Sequence, residues 1–249
     1  MYQPRVLPVL LLKNDGLVKT KNFKDPVYIG DPINAVRIFN EKEVDELILL
    51  DITATAENRD PNFNWIRDIV SESFMPVGYG GGIKNLQQVQ NLFDSGIEKI
   101  VINSAADDYK FISDIANRYG NQSIVISIDA RKSLLGKYSC YTQNGSKNLK
   151  IDPSEFAKKV VDAGAGEIII QNIANEGSMT GIDLNLIKKV CESVDVPVVA
   201  TGGAGNIDHI KDAIQIGGAS AVAAGSMFVF KGRQRGILIN YPVKNLNFE

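Results

Sequence analysis

The sequence predicts an α/β fold, a single (β/α)8 barrel whose two halves repeat one another. Three observations predict it. The chain has 249 residues, close to the ~250 typical of such barrels. Short apolar runs alternate with amphipathic helical stretches, as in a parallel sheet with crossover helices. Similar segments also recur at one fixed offset, which is typical of a duplicated architecture.

Eight short runs have the length and β-branched composition of buried parallel strands. They are residues 5–12, 46–52, 76–80, 99–103, 123–129, 167–173, 197–201 and 220–225. Helical patterns lie between them; Leu184, Ile187 and Val190, for example, share one helix face. Eight such units in a chain of this length favour closure into a TIM barrel over an open sheet. We expect one domain over residues 1–249.

Three matched segment pairs support an internal duplication. DELILLDITA (45–54) matches GEIIIQNIAN (166–175), PVGYGGGIKN (76–85) matches PVVATGGAGN (197–206), and VINSAA (101–106) matches VAAGSM (222–227). All three pairs lie 121 residues apart. We therefore expect two half-barrels, over about 1–120 and 121–249.

Composition excludes several classes of function. A formal net charge of -2 gives no electrostatic footprint for nucleic acid or an anionic membrane. Cys140 and Cys191 lie far apart and are expected to be reduced thiols. His209, the sole histidine, is expected to be solvated. One histidine without a cysteine cluster excludes a zinc or Ser-His-Asp mechanism. The N-terminal apolar run is too short for a signal peptide or membrane span. We expect a cytoplasmic protein that uses no cofactor and no metal.

Two long excursions interrupt the alternation, at 13–31 and 130–149. In a barrel both would lie on the C-terminal face, where active sites are built. The second contains a hairpin turn signal at Asn144-Gly145. Lys13, Lys19 and Lys21 in the first could contact a phosphate, the alternative being a solvated loop.

Glycine-rich turns end the third and seventh strands. Glycine there lets backbone N–H groups approach an anion, and a following helix N-terminus can complete a phosphate grip. Tight packing at strand ends is the alternative, but two copies in symmetric places favour phosphate binding. Two opposed grips predict a ligand with a phosphate at each end. The candidate phosphate-binding residues are Gly81, Gly82, Asn103, Ser104, Gly202, Gly203, Ala224, Gly225 and Ser226.

Four charged residues stand at strand starts, where a parallel barrel brings them to its N-terminal face. They are Arg5, Glu46, Lys99 and Glu167. Their signs alternate around the axis, so they can close into a salt-bridged ring. A purely structural plug is the alternative, although buried ion pairs are weak evidence for stability.

The segments RVLPVLLLKNDGLVKT, DELILLDITA, YGGGI, EKIVINSAA, ISIDAR, GAGEIII, TGGAG and AVAAGS together resemble the HisF-like cyclase subunit of imidazole glycerol phosphate synthase. The resemblance covers about residues 5–230. It implies a lyase-family subunit of a glutamine amidotransferase that takes ammonia from a HisH-like glutaminase through the barrel. In histidine biosynthesis that subunit uses a bis-phosphorylated ribulose derivative to form imidazole glycerol phosphate and an aminoimidazole carboxamide ribotide.

The resemblance also implies roles for particular residues. The four strand-start charges match the family's ammonia gate, and Gln122 matches a polar residue near it. Glu98 matches an acid presented to the glutaminase, and Asp129 matches one of two catalytic aspartates. The other aspartate falls on Leu11, which cannot transfer a proton. Another acidic family position is Ala174 here, although Glu176 keeps a carboxylate two residues later.

In having Leu11 at this position, and in its segments VLLLKNDGLVKT and LINYP, the chain resembles cyclase-like proteins found beside amidotransferases in surface-polysaccharide gene clusters. The resemblance then implies amidination of a sugar, with a glutaminase, a phosphorylated small-molecule or sugar substrate and a third amidotransferase protein as partners. Two alternatives stay open: a genuine cyclase using Asp129 alone or with Glu176, and a scaffold that only activates the glutaminase. We expect no nucleic-acid and no membrane partner.

Overall fold

Eight parallel strands close into a barrel in the computed structural model, which describes residues 4–232 and 234–242. In chain order the elements are β1 (Arg5–Lys13), β2 (Gly16–Lys21), β3 (Lys24–Gly30), α1 (Pro32–Glu41), β4 (Leu47–Asp51), α2 (Phe63–Val70), β5 (Val77–Gly80), α3 (Leu86–Asp94), β6 (Lys99–Ile102), α4 (Tyr109–Tyr119), β7 (Ile124–Lys132), β8 (Tyr138–Thr142), β9 (Lys147–Asn148), α5 (Pro153–Asp162), β10 (Glu167–Asn172), α6 (Leu184–Cys191), β11 (Val198–Thr201), α7 (Ile207–Gln215), β12 (Ala221–Ala224), α8 (Ser226–Val229), β13 (Phe230–Lys231) and β14 (Gly236–Ile237). A single 3-10 turn, Asn121–Ser123, precedes β7.

The barrel strands run in the order β1, β4, β5, β6, β7, β10, β11, β12, and β12 pairs with β1 to complete the circle. Every neighbouring pair in this circle is parallel, including the β7–β10 pair that joins the two parts of the chain. All eight strands predicted from the sequence are therefore confirmed, and so is the TIM barrel.

Alternate residues of each strand point into the barrel, because successive side chains in a strand face opposite sides. The inward positions form three layers from the N-terminal to the C-terminal face. The floor layer is charged, the middle layer is apolar, and the mouth carries both polar and apolar groups. The buried apolar cluster between floor and mouth consists of Leu7, Ile48, Val101, Val125, Ile169, Val199, Ala221 and Ala223.

The helices cover the outer face of the barrel and bury its second, larger apolar core. Each helix of eight or more residues in the described chain begins at an Asp or Asn whose side chain accepts a backbone N–H, as in preferred N-caps. In α3 the cap is a full capping box between Asn85 and Gln88. These caps hold the helix N-termini at the mouth end of the barrel, beside the strand ends.

Both long excursions form antiparallel hairpins on the C-terminal face. The second was predicted in part: β8 and β9 meet at the turn around Asn144-Gly145. The first was expected to be a loop, and that expectation is wrong. Residues 16–30 form β2 and β3, and β2 extends β1 by pairing Leu11 with Val18. Left-handed backbone at Asn14 and Asn22, with φ of 53° at each, makes the two reversals.

His209 also departs from expectation. It is half-buried rather than solvated, and its Nδ1 accepts a hydrogen bond of 3.1 Å from the Gly205 N–H. The imidazole thus supports the turn before α7, which no apolar periodicity could reveal. Cys140 and Cys191 are free thiols. Across the described residues, no helix combines the length and apolarity needed to cross a membrane.

Candidate functional site

A cavity of about 190 Å³ opens at the C-terminal mouth of the barrel. Its lining includes both glycine-rich turns, Leu11, Asp129 and Glu176. Two hairpin turns roof it: Phe23 lines it from β2–β3, and Asn144 from β8–β9. The Asn144 amide donates a 2.7 Å hydrogen bond to the Ile52 carbonyl. The sequence-predicted mouth residues are therefore brought together in one partly covered cavity.

Asp129 is the buried acid of the cavity. Its Oδ1 accepts a 2.8 Å hydrogen bond from Gln171, and its Oδ2 accepts one of 3.1 Å from Asn103. The Asn103 amide is itself held by the Ser127 carbonyl at 2.9 Å. Burial raises the pKa of Asp129 to about 7, against the lowering effect of these two amides. A carboxyl group with this pKa can both give and take a proton near neutral pH.

Leu11 faces the mouth from β1, which lies across the barrel from the strand that carries Asp129. It pairs with Leu50 of β4, so this side of the mouth is apolar. Asp15 cannot take its place, because it is exposed in the β1–β2 turn. The site thus has an acid on one wall and aliphatic side chains on the opposite wall.

Glu176 lies in the cavity lining, but both its carboxylate oxygens hold the first hairpin. Oε1 accepts from the Thr20 hydroxyl at 2.9 Å, and Oε2 accepts from the Phe23 N–H at 3.0 Å. The Glu176 carbonyl also accepts the Asn22 N–H at 3.0 Å. Its direct geometric role is to hold β2–β3 over the mouth. Ala174 is exposed.

The two glycine-rich turns lie on opposite sides of the mouth, after β5 with β6 and after β11 with β12. At two of their positions, close packing against backbone is enough to require glycine. At Gly203, with φ of +106°, an added Cβ would lie 2.1 Å from the Gly181 carbonyl oxygen. At Gly81, with φ of +126°, it would lie 2.4 Å from the Asp51 carbonyl oxygen. The tight-packing alternative therefore accounts for these two positions whether or not an anion binds.

Gly225 is different, and it brings Lys19 into the site. Its φ of -114° is open to any residue, yet an added Cβ would lie 2.2 Å from the Lys19 Nζ. The glycine makes room for that amine, which donates to the Val9 carbonyl at 2.5 Å. Burial lowers the pKa of Lys19 to about 8, and the Glu176 charge raises it. A buried cation therefore adjoins the second turn.

Arg5, Glu46, Lys99 and Glu167 form a closed ring at the opposite, N-terminal end. Arg5 binds both glutamates. Lys99 Nζ lies 2.9 Å from Glu46 Oε1 and 2.8 Å from Glu167 Oε2. The glutamates are buried, whereas the side chains of Arg5 and Lys99 are 26% and 21% exposed. Strand starts far apart in sequence thus close the barrel floor with alternating charges.

Gln122 is not part of this ring. It is exposed on the turn before β7, and its amide donates to the Tyr119 carbonyl at 3.2 Å. Glu98 is exposed beside Lys99 on the same end of the barrel. The floor therefore joins the four strand-start charges, with Glu98 and Gln122 outside them.

Known proteins resemble this chain over nearly its whole length. Residues 5–234 match the family described as histidine biosynthesis protein. Three relatives share the name "putative imidazole glycerol phosphate synthase subunit". They are hisF2 of Pseudomonas aeruginosa, at 50% identity over 98% of both chains, HisF of Leptospira borgpetersenii, at 47% over 97% of this chain and 96% of the relative, and hisF3 of Vibrio vulnificus, at 46% over 97% and 94%. The chain belongs to the HisF-like histidine biosynthesis protein family.

Within this HisF-like barrel, the contact of Gln171 with Asp129 and the approach of Lys19 to Gly225 are not evident from the sequence. Gln171 directly opposes Asp129 in the β7–β10 pair. The inward alternation of Glu167, Ile169 and Gln171 could have placed it at the mouth. Lys19 was considered only as one of three loop lysines, because nothing local showed that β2 folds back onto the mouth.

Proposed function

We propose that this HisF-like chain receives ammonia from a glutaminase at its N-terminal face and conducts it to an acceptor at its mouth. The acceptor reaction we propose is amidination of a surface-polysaccharide sugar. The observation that carries the proposal is the contrast between the two ends of the barrel. The charged floor is complete, whereas the mouth holds Asp129 opposite Leu11 instead of a second acid.

The three inward layers suit the passage of ammonia. Neutral ammonia can cross the apolar middle layer, whereas ammonium would lose its hydration there. The floor is closed by four ion pairs, so passage needs a side chain to move. Lys99 is the candidate, because its ammonium group is compact and its stem is flexible. Glu98, exposed beside it, is the proposed contact for the glutaminase.

At the mouth, Asp129 is the proposed proton acceptor and donor, oriented by Gln171 and Asn103. The two glycine-rich turns are the proposed sites for a phosphorylated small molecule or sugar, with Lys19 beside the second. A third protein is the proposed acceptor enzyme. We also propose that the chain is one domain built from half-barrels at about 1–120 and 121–249.

An ordinary cyclase of histidine biosynthesis is the alternative enzyme, with Asp129 working alone or with Glu176. The engagement of both Glu176 oxygens by Thr20 and Phe23 argues against the second form. A scaffold that only activates the glutaminase is the non-enzyme alternative.

The test supplies the purified chain with saturating ammonium and the bis-phosphorylated ribulose intermediate. We expect no cyclisation near a typical kcat of ~1 s⁻¹. Leu11→Asp restores the second titrating group and should raise the rate by about 10²-fold, with Leu11→Asn as the matched uncharged control. Wild-type cyclisation near ~1 s⁻¹ would establish the cyclase alternative instead.

Glutamine-driven transfer separates the conduit from the scaffold. With the glutaminase bound, we expect Lys99→Ala or Glu167→Ala to uncouple glutamine hydrolysis from amidation, so that ammonium appears in solution. Fully coupled transfer in these variants contradicts the gate. Glutaminase activation with no ammonia transfer by the wild type supports the scaffold.

A further inference from the structure

Three hairpins on the C-terminal face carry pairs of exposed apolar side chains. The pairs are Val27 and Tyr28 on β3, Leu134 and Leu135 between β7 and β8, and Ile237 and Leu238 at β14. We define these six residues as the hairpin rim. Contiguous exposed apolar groups on a soluble protein mark interaction sites more often than isolated ones do.

The hairpins stand around the same mouth. The β2–β3 hairpin is held there by Glu176, through Thr20 and Phe23. The turn before β14 is held there by Arg235, whose guanidinium donates to the Gly177 and Ser178 carbonyls at 3.2 and 3.3 Å. The β7–β8 hairpin continues directly from the strand that carries Asp129. The three hairpins therefore lie on the face that contains the cavity opening, and the hairpin rim lies outside the cavity lining.

The β7–β8 hairpin presents the most exposed pair. Leu134 is 108% exposed and Leu135 is 89% exposed, so neighbouring groups cover little of either side chain. Two adjacent leucines in this state would each release structured water on binding a partner. They form an apolar tip that projects from the molecule.

The same segment is strongly basic in a chain of net charge -2. Residues 131–150 contain five cations and no acid, namely Arg131, Lys132, Lys137, Lys147 and Lys150. Lys147 pairs with Asp107 at 2.9 Å. Within the described ranges, Lys132, Lys137 and Lys150 form no ion pair. An apolar tip flanked by unneutralised cations is complementary to an acidic surface that contains an apolar pocket.

A protein surface fits the hairpin rim better than a lipid surface. Val27 and Tyr28 lie along β3, which pairs with β2 alone among the described strands. The outer edge of β3 presents backbone donors and acceptors that a protein can satisfy and a bilayer interior cannot. Exposed acids such as Asp15 and Asp25 share this face and would oppose an anionic membrane.

We propose that the hairpin rim docks an acidic-surfaced acceptor enzyme over the barrel mouth. Leu134 and Leu135 insert into its apolar pocket, and Lys132 and Lys137 lie against its carboxylates. The inference rests on the proposed function, because ammonia at an uncovered mouth would be protonated by water to ammonium, which is not a nucleophile. A docked enzyme keeps the ammonia neutral and receives it directly.

The experiment places photoreactive benzoylphenylalanine at position 134 in cells of the source organism. The matched control carries it at Phe74, an exposed side chain in the loop before β5 at the opposite end of the barrel. The protein cross-linked at 134 and not at 74 is identified by mass spectrometry, purified and titrated against the chain. We expect Leu134→Ser/Leu135→Ser to weaken its binding by about tenfold or more.

Charge reversal at Lys132→Glu/Lys137→Glu should weaken binding by a similar factor and reduce its salt dependence between about 50 and 300 mM. Phe74→Ser should bind like the wild type. All substituted side chains are exposed, and melting curves check that each variant folds. Equal binding of wild type and tip variants, or cross-linking of the chain only to itself, overturns the proposal.

Two further outcomes are informative. If no protein is captured, the proposal is wrong. It is also wrong if phosphatidylcholine–phosphatidylglycerol vesicles bind the chain with the same dependence on the two leucines, and that result assigns the tip to a membrane. Failure of the proposed function is recognised separately: tip-dependent binding then persists, but Glu167→Ala leaves glutamine-driven transfer unchanged.

Discussion

Replacing Glu167 by Gln in the charged floor gives a quantitative test of how the barrel is closed. The Glu167 side chain is 7% exposed and binds both cations of the ring. Loss of one partner from a buried ion pair costs about 3–5 kcal/mol. Arg5 and Lys99 reach solvent and keep Glu46, so we expect a loss of about 2 kcal/mol in the free energy of unfolding.

For a chain of this size about 2 kcal/mol corresponds to a fall in Tm of about 4–8 °C. Urea denaturation and thermal melting at neutral pH measure the two quantities. Glu155→Gln is the matched control, because its partner Lys159 and Glu155 itself are 47% and 58% exposed. That exposed pair should contribute less than about 0.5 kcal/mol.

A Glu167→Gln protein no less stable than the Glu155→Gln control would refute the reasoning. The double variant Lys99→Met/Glu167→Leu separates stability from conduction. It removes one cation with one anion and leaves Arg5 paired with Glu46, so stability should be near that of the wild type. Coupled ammonia transfer should still be lost if Lys99 is the moving gate.

Three further predictions concern the mouth. The pKa of Asp129 is raised to about 7, so the folded protein holds a proton that the unfolded chain releases above pH ~4. The free energy of unfolding should therefore fall by up to about 1.4 kcal/mol per pH unit between pH ~4 and ~7. Asp129→Asn should remove this slope in urea melts across that range. Lys19→Met should weaken binding of inorganic phosphate by about tenfold in calorimetric titration. The control Lys21→Met, at an exposed position, should leave phosphate binding unchanged. Equal loss of binding in both variants contradicts a specific role for Lys19. Gly225→Ala should displace the flexible Lys19 amine and weaken phosphate binding, with less than about 1 kcal/mol lost in the free energy of unfolding. At Gly203 an added Cβ would meet backbone at 2.1 Å. Gly203→Ala should therefore destabilise the protein by about 2 kcal/mol or more in urea melts.

The first excursion shows where prediction from sequence was incomplete. Its strand β2 is buried on nearly every residue, so it lacks the alternation that identifies a half-buried strand. The β1–β2 turn carries Asp15-Gly16, a hairpin signal of the same class as Asn144-Gly145 in the second excursion, whereas the β2–β3 turn at Asn22-Phe23 contains no glycine. Lys19 meets the second glycine-rich turn only because β2 folds back onto the mouth, so its local sequence does not assign it there.

The site shows the same division between local and distant information. Asp129 on β7 and Leu11 on β1 could be named from the sequence, since family motifs surround both. The Gln171 contact depends on the register of β7 with β10, whose residues are 42 positions apart. Gln122 directly precedes β7, but its amide donates to the Tyr119 carbonyl, because position beside a strand does not determine where a side chain points.

By itself, the sequence determined the eight strands, the barrel and the membership of this chain in its family, because hydrophobic periodicity and motif spacing are properties of short segments. Only the tertiary structure decided which groups meet. Arg5 and Glu167 are 162 positions apart and become partners when the barrel closes, and Lys19 reaches Gly225 when a hairpin folds back. Such contacts depend on chain reversal and strand register over the whole molecule, which no local pattern contains.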